Sequence, residues 1–112
     1  MKDLIERLEK ATGPDRSLDG EIARILGWSQ ERVEWAGHND IHWKSPNGNL
    51  SGEPPYYTRD LDAAQSVVPR DMLWSVGTWS DNFATVGPEI NVDTAPSPAI
   101  ALCIAALKAR ES

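Results

Sequence analysis

Three sets of side chains in this 112-residue chain are of types that chemistry uses: a His38–Asp40–His42 cluster, one thiol at Cys103, and seventeen carboxylates. His38 and His42 stand four apart, a spacing that on a helix would present two metal ligands on one face. Their neighbours Gly37, Asn39 and Asp40 predict a turn instead. The chain has no third histidine to complete a shell, and the Glu of a His-Glu-x-x-His motif is absent. Carboxylates such as Glu34 could fill the gap, but solvated hairpin residues describe the cluster better, so neither metal nor cofactor is expected. Cys103 lies in an apolar run without an activating partner, which describes a small core residue and not a nucleophile. There is no Gly-x-Ser-x-Gly elbow. Asn47-Gly48 and Ser51-Gly52 lack the Lys and the strand–helix context of a phosphate cradle. With so many carboxylates, chance acid–base pairs are unavoidable. No catalytic residue is therefore assigned, and the chain is not expected to be an enzyme.

The aromatic residues carry more information. Five tryptophans (Trp28, Trp35, Trp43, Trp74 and Trp79) are many for this length, and Trp is costly to expose without a use. Two readings stay open: a small sandwich can seat most of them between layers, or some anchor a protein interface, where Trp and Tyr are enriched. Trp35, Trp43, Tyr56 and Tyr57 flank the Gly/Pro/Asn-rich stretch from Ser45 to Pro55, and these four are the candidate binding residues.

Charge narrows the partner classes. The net charge is -6 and the sequence pI about 4.8. That disfavours direct nucleic-acid binding, which wants a Lys or Arg at each phosphate; it permits a basic protein partner. A single cysteine allows no internal disulfide. Residues 1–7 mix charged and apolar residues unlike a signal peptide, and the apolar run from Ala99 to Leu107 falls short of a membrane span. A cytoplasmic protein without membrane contact is expected.

These residues must be positioned by one domain spanning residues 1–112. Leu4, Ile5, Leu8 and Ala11 form a helical stripe, ended by Thr12-Gly13-Pro14. Ser17 or Asp19 is expected to cap a second helix with Ile22, Ala23, Ile25 and Leu26 inside. Between Glu31 and Ser45 the period changes to two, predicting a hairpin with Ala36–Asp40 as its turn and Val33, Trp35, Ile41 and Trp43 on one face; a short helix over 30–36 is the rival. Pro46-Asn47-Gly48-Asn49 is a turn within the longest loop. Thr58 is expected to cap a helix carrying Leu61, Ala64, Gln65 and Val68 inward until Pro69. Residues 72–79 and 83–86 predict a second hairpin, which Ile90 and Val92 extend. Both of its faces carry large residues, Trp74 and Val76 on one, Leu73 and Trp79 on the other. From Ser97-Pro98 onward the chain reads as a helix apolar on every side, which must be covered on more than one side. The resulting class is α+β: a three-layer α-β-α sandwich with a small, mainly antiparallel sheet and a buried C-terminal helix.

Three segments carry a family resemblance. Ala11-Thr12-Gly13-Pro14-Asp15-Arg16 with Leu18-Asp19-Gly20-Glu21-Ile22-Ala23 and Leu26-Gly27-Trp28, then Tyr57-Thr58-Arg59-Asp60-Leu61-Asp62-Ala63-Ala64 with Val68-Pro69, and the closing run Ala99 to Arg110 together resemble the phage ABA sandwich domain family. The likeness spans most of the chain except Ser29 to Pro54. It implies an α-β-α fold, phage or prophage origin, and no catalytic residues to carry over. A protein so placed is expected to be an accessory factor in the host cytoplasm that binds a host or phage protein, such as an inhibitor of a host defence protein. A small-molecule or nucleotide binder and a structural or assembly protein of the phage are the alternatives.

Overall fold

The computed structural model describes residues 2–51, 53–78, 82–87, 90–92 and 95–111, apart from the side chains of Val33, Trp35, His38, Leu50, Ser51, Thr78, Asn82, Phe83 and Asn91. In chain order the elements are α1 (Lys2–Lys10), α2 (Arg16–Ile25), β1 (Ser29–Trp35), β2 (His38–Lys44), β3 (Leu50–Ser51), α3 (Leu61–Gln65), β4 (Trp74–Thr78), β5 (Asn82–Val86), β6 (Ile90–Val92) and α4 (Pro98–Glu111). The fold is α+β, as the residue patterns predict, with antiparallel strands and a buried closing helix.

Helix α4 organises the core. Ser97 Oγ accepts from the Ile100 N–H at 3.2 Å and Pro98 takes the first helical position, so the helix starts where expected. Ten of its fourteen residues are buried. On one side lies the β4-β5-β6 sheet; α1 and α3 also pack on α4. The pairings Val76↔Ala84, Ala84↔Val92 and Val86↔Ile90 place Val76, Ala84, Val86, Ile90 and Val92 on one face, against the core, while Trp74, paired with Val86 at the end of that face, is exposed. Each large side chain that α4 buries contributes about 1.5–3 kcal/mol of transfer free energy. Arg110 Nε, in the last turn, donates to Val67 O at 2.6 Å and ties the helix end to the segment after α3.

The layering is sandwich-like about α4, but the strands form two sheets, β1-β2-β3 and β4-β5-β6. Pro54 and Pro55 follow β3 and offer no N–H, so that short strand cannot extend through them. On the second face of the β4–β6 sheet, one of the two large residues expected to need cover does not have it. Leu73 precedes the strand and is 88% exposed. Ser75 and Thr85 on that face hydrogen-bond to each other at 2.6 Å in an exposed position. Trp79, also assigned to that face, lies outside the described residues.

Three local expectations are corrected. First, α2 is capped by Asp15, whose Oδ1 accepts from Ser17 N at 2.8 Å and Leu18 N at 3.4 Å; neither Ser17 nor Asp19 is the cap. Second, Thr58 does not cap α3. Asp60 occupies that position, the helix ends at Gln65, and Val67 is buried where Gln65 was expected. Third, β1 and β2 are joined by Ala36-Gly37 alone, with φ of 50° and 82°. Such a two-residue turn with both φ positive matches strand twist, and it rules out the helical rival over 30–36.

That tight turn changes which residues share a face. Arg32 pairs with Ile41 and Gln30 with Trp43, whereas Val33 pairs with Asp40 and Trp35 with His38. Val33 and Trp35 therefore lie on the face opposite Ile41 and Trp43. A loop of the expected odd length would have matched them; the register set by two residues sends alternate side chains to the other side. Hydrophobic pattern could not choose, because Ile41 is 60% exposed in any case.

Candidate functional site

The densest polar arrangement among the described residues joins the start of α2 to the segment from Glu53 to Asp60. Its hub is Asp19, which is 1% exposed. Asp19 Oδ1 accepts from Thr58 N at 2.7 Å and Thr58 Oγ1 at 2.8 Å, and Oδ2 accepts from Arg16 Nη1 at 2.7 Å. Thr58 Oγ1 in turn accepts from Asp15 N at 2.8 Å. A buried carboxylate is tolerable only when its lone pairs are met in this way.

Arg16 carries the arrangement outward. Its Nη2 donates to Pro54 O at 3.0 Å and its Nη1 to Pro55 O at 3.2 Å. The guanidinium lies 3.9 Å from the centroid of the Tyr56 ring, and Arg59 lies 3.8 Å from the same centroid. Both cations are attracted by the ring quadrupole. Arg59 is also held by Asp60 through Nε–Oδ1 and Nη2–Oδ2 bonds of 3.0 and 3.1 Å. That hydrogen bonding holds the Asp60 carboxyl below its ordinary range and raises Arg59 further. The Tyr56 hydroxyl donates to Glu53 Oε1 at 2.8 Å, which raises the phenol. Beside the ring opens a cleft of about 520 Å³ lined by Pro55, Tyr56, Arg59, Asp60, Leu61, Asp62 and Ala63.

The four residues singled out from the sequence fall in different places. Tyr56 is at this cleft and half-buried. Tyr57, its neighbour, points the opposite way and is 1% exposed, so it is a core residue and cannot anchor a partner. Trp43 is half-buried against α2, its ring within van der Waals reach of Gly20. Arg24 sits 5.8 Å from the Trp43 ring centroid. The Trp35 side chain lies outside the described residues. Among the described residues no group of His, Cys, Asp and Glu could hold a metal ion. Cys103 is buried, its Sγ donating to Tyr57 O at 3.3 Å, and burial pushes the thiol up, as suits a core residue. No helix among the described residues is long and apolar enough to cross a membrane.

Burial raises the Tyr57 phenol to about 12, partly offset by hydrogen bonding with Ser66 and Trp28. The folded state therefore favours the neutral phenol. Stability is fully present below the ordinary value of 10.0 and is lost as pH climbs from there toward about 12, because the unfolded chain ionises first. We expect the melting temperature to fall across that window, and to fall less in Tyr57→Phe. Cys103→Ala serves as the control, since the raised thiol adds a loss of the same sign. An unchanged alkaline slope in Tyr57→Phe would clear Tyr57 of the effect.

Sequence reasoning passed over Arg16, Asp19 and Thr58 as site builders. One signal was present: continuing the α2 apolar stripe back one turn from Ile22 and Ala23 lands on Leu18 and Asp19, which puts a charged residue on a buried face. The partner, Thr58, is 39 residues away and has no local signature. No protein-family model, curated protein or solved structure matches this chain.

Proposed function

We propose that the protein is a non-enzymatic accessory factor, phage- or prophage-encoded, that works in the host cytoplasm by docking on a host or phage protein and occluding it, with a host defence protein as the target class. The phage origin rests on the family resemblance of the three segments quoted above. The docking reading rests on one observation: Tyr56 is clamped between Arg16 and Arg59 beside an open cleft of about 520 Å³. Tyr and Arg are enriched among residues that carry binding energy. A ring already held on both faces loses little side-chain freedom when a partner arrives. Trp43 contributes through its half-buried ring; Tyr57 does not take part.

The test compares tagged wild type with Tyr56→Ala in a nuclease-treated host lysate, with melting curves for both. One stoichiometric protein captured by wild type, and reduced about ten-fold or more by Tyr56→Ala, is the expected result for an anchor residue. Melting temperatures should stay close, because Tyr56 is outside the buried core. Capture indifferent to Tyr56 would move the docking surface elsewhere.

A further inference from the structure

We infer that the Tyr56 cleft takes a basic segment of its partner: a Lys or Arg side chain next to an apolar residue. The inference rests on the docking reading and names the chemistry of the partner. Both arginines at the cleft spend their charge internally, Arg16 on Asp19 and two carbonyls, Arg59 on Asp60. Among the residues that line the cleft, Asp60 and Asp62 stand against Arg59 alone, so its wall carries one net negative charge on a chain whose net charge is already -6. Asp62 lines the cleft, is exposed, and has no ion-pair or hydrogen-bond partner among the described residues.

The remaining wall is apolar: Pro55, Leu61 and Ala63. A long basic side chain suits both surfaces at once, since its aliphatic stem lies along apolar atoms while the charged head reaches a carboxylate. Arg59 already shows how the cleft holds a guanidinium, stacked on Tyr56 and gripped by a carboxylate through two bonds. An acidic or phosphorylated segment would meet the negative excess with no uncommitted arginine to answer it. Neutral apolar segments would leave Asp62 to be desolvated without a counter-charge. Electrostatic matching of this kind sets partner choice and on-rate more than raw affinity.

The experiment selects a random-peptide library on immobilised full-length protein and measures the recovered peptides against Asp62→Asn, Asp62→Lys and Tyr56→Ala, at low and high salt. Asp62 is exposed, so its variants should melt with wild type. The expected result is enrichment of Lys and Arg beside apolar residues. Affinity should fall about two- to five-fold in Asp62→Asn, further in Asp62→Lys, and with rising salt. Recovery of no peptide, of peptides without basic enrichment, or of peptides indifferent to Asp62 would overturn the inference. The two readings separate cleanly: neutral or acidic peptides that require Tyr56 defeat the basic partner and leave the docking site standing, whereas peptides indifferent to Tyr56 defeat both.

Discussion

Asp19→Ala will destabilise the protein by about 1–3 kcal/mol, the cost of leaving a buried hydrogen-bonding group unsatisfied. The carboxylate accepts three hydrogen bonds, and the donors do not suffer equally when it goes. Arg16 has a side chain 40% exposed and can turn to water. Thr58 is 0% exposed, so its N–H would be left buried and unmet, the costly case. Asp19→Asn keeps an acceptor for Thr58 but turns an amide or a neutral oxygen toward Arg16, and should cost about half as much. Urea denaturation of the two variants and of Thr58→Val completes the comparison. A coupling of about 1 kcal/mol or more between Asp19 and Thr58 in the double-mutant cycle is expected for groups in one network. Additive losses would mean that the two act separately. Because Arg16 is held by Asp19, Asp19→Ala should also loosen the Tyr56 stack and weaken the proposed docking.

Leu102→Ala, in the middle of α4, should cost about 2–5 kcal/mol, a large share of the stability of a domain this size. Leu102 is 0% exposed, and its helix is enclosed by the β4–β6 sheet, α1 and α3. A cavity there can be filled only by shifting elements that are themselves held by other contacts, so relaxation should recover little. Leu73→Ala is the matching control. The same chemical change at a residue 88% exposed should move stability by no more than about 0.5 kcal/mol. Denaturation midpoints measured side by side decide it, and equal losses at the two positions would mean that α4 is not the centre of the core.

How far the residues alone reached differs from element to element. Helix α4 was fully legible, from its Ser97-Pro98 start to its all-round burial, because a helix lacking a polar face has only one way to satisfy water. Helix α1 was nearly so, its stripe of Leu4, Ile5 and Leu8 being buried as the periodicity requires. Strand β1 and strand β2 were found, but their shared faces were misassigned. The deciding event, Ala36 accepting a φ of 50°, leaves no mark in the hydrophobic pattern. Tyr56 and Tyr57 show the same limit more sharply. They are adjacent, chemically alike and flanked by the same loop, yet one lines an open cleft and the other is 1% exposed in the core.

Residue pattern was enough for the class of the fold, the buried closing helix and the antiparallel hairpins. Those follow from the period of apolar residues and from capping and turn chemistry, which act over a few residues. Tertiary structure alone decided the division into two sheets, the faces of β1 and β2, and the junction of Arg16 and Asp19 with Tyr56 and Thr58. Its bonds join residues roughly forty positions apart in the chain. No local preference encodes such a contact; it exists because burying the apolar stripe of α2 carries Asp19 inward, where it must find donors, and the Tyr56–Thr58 segment supplies them.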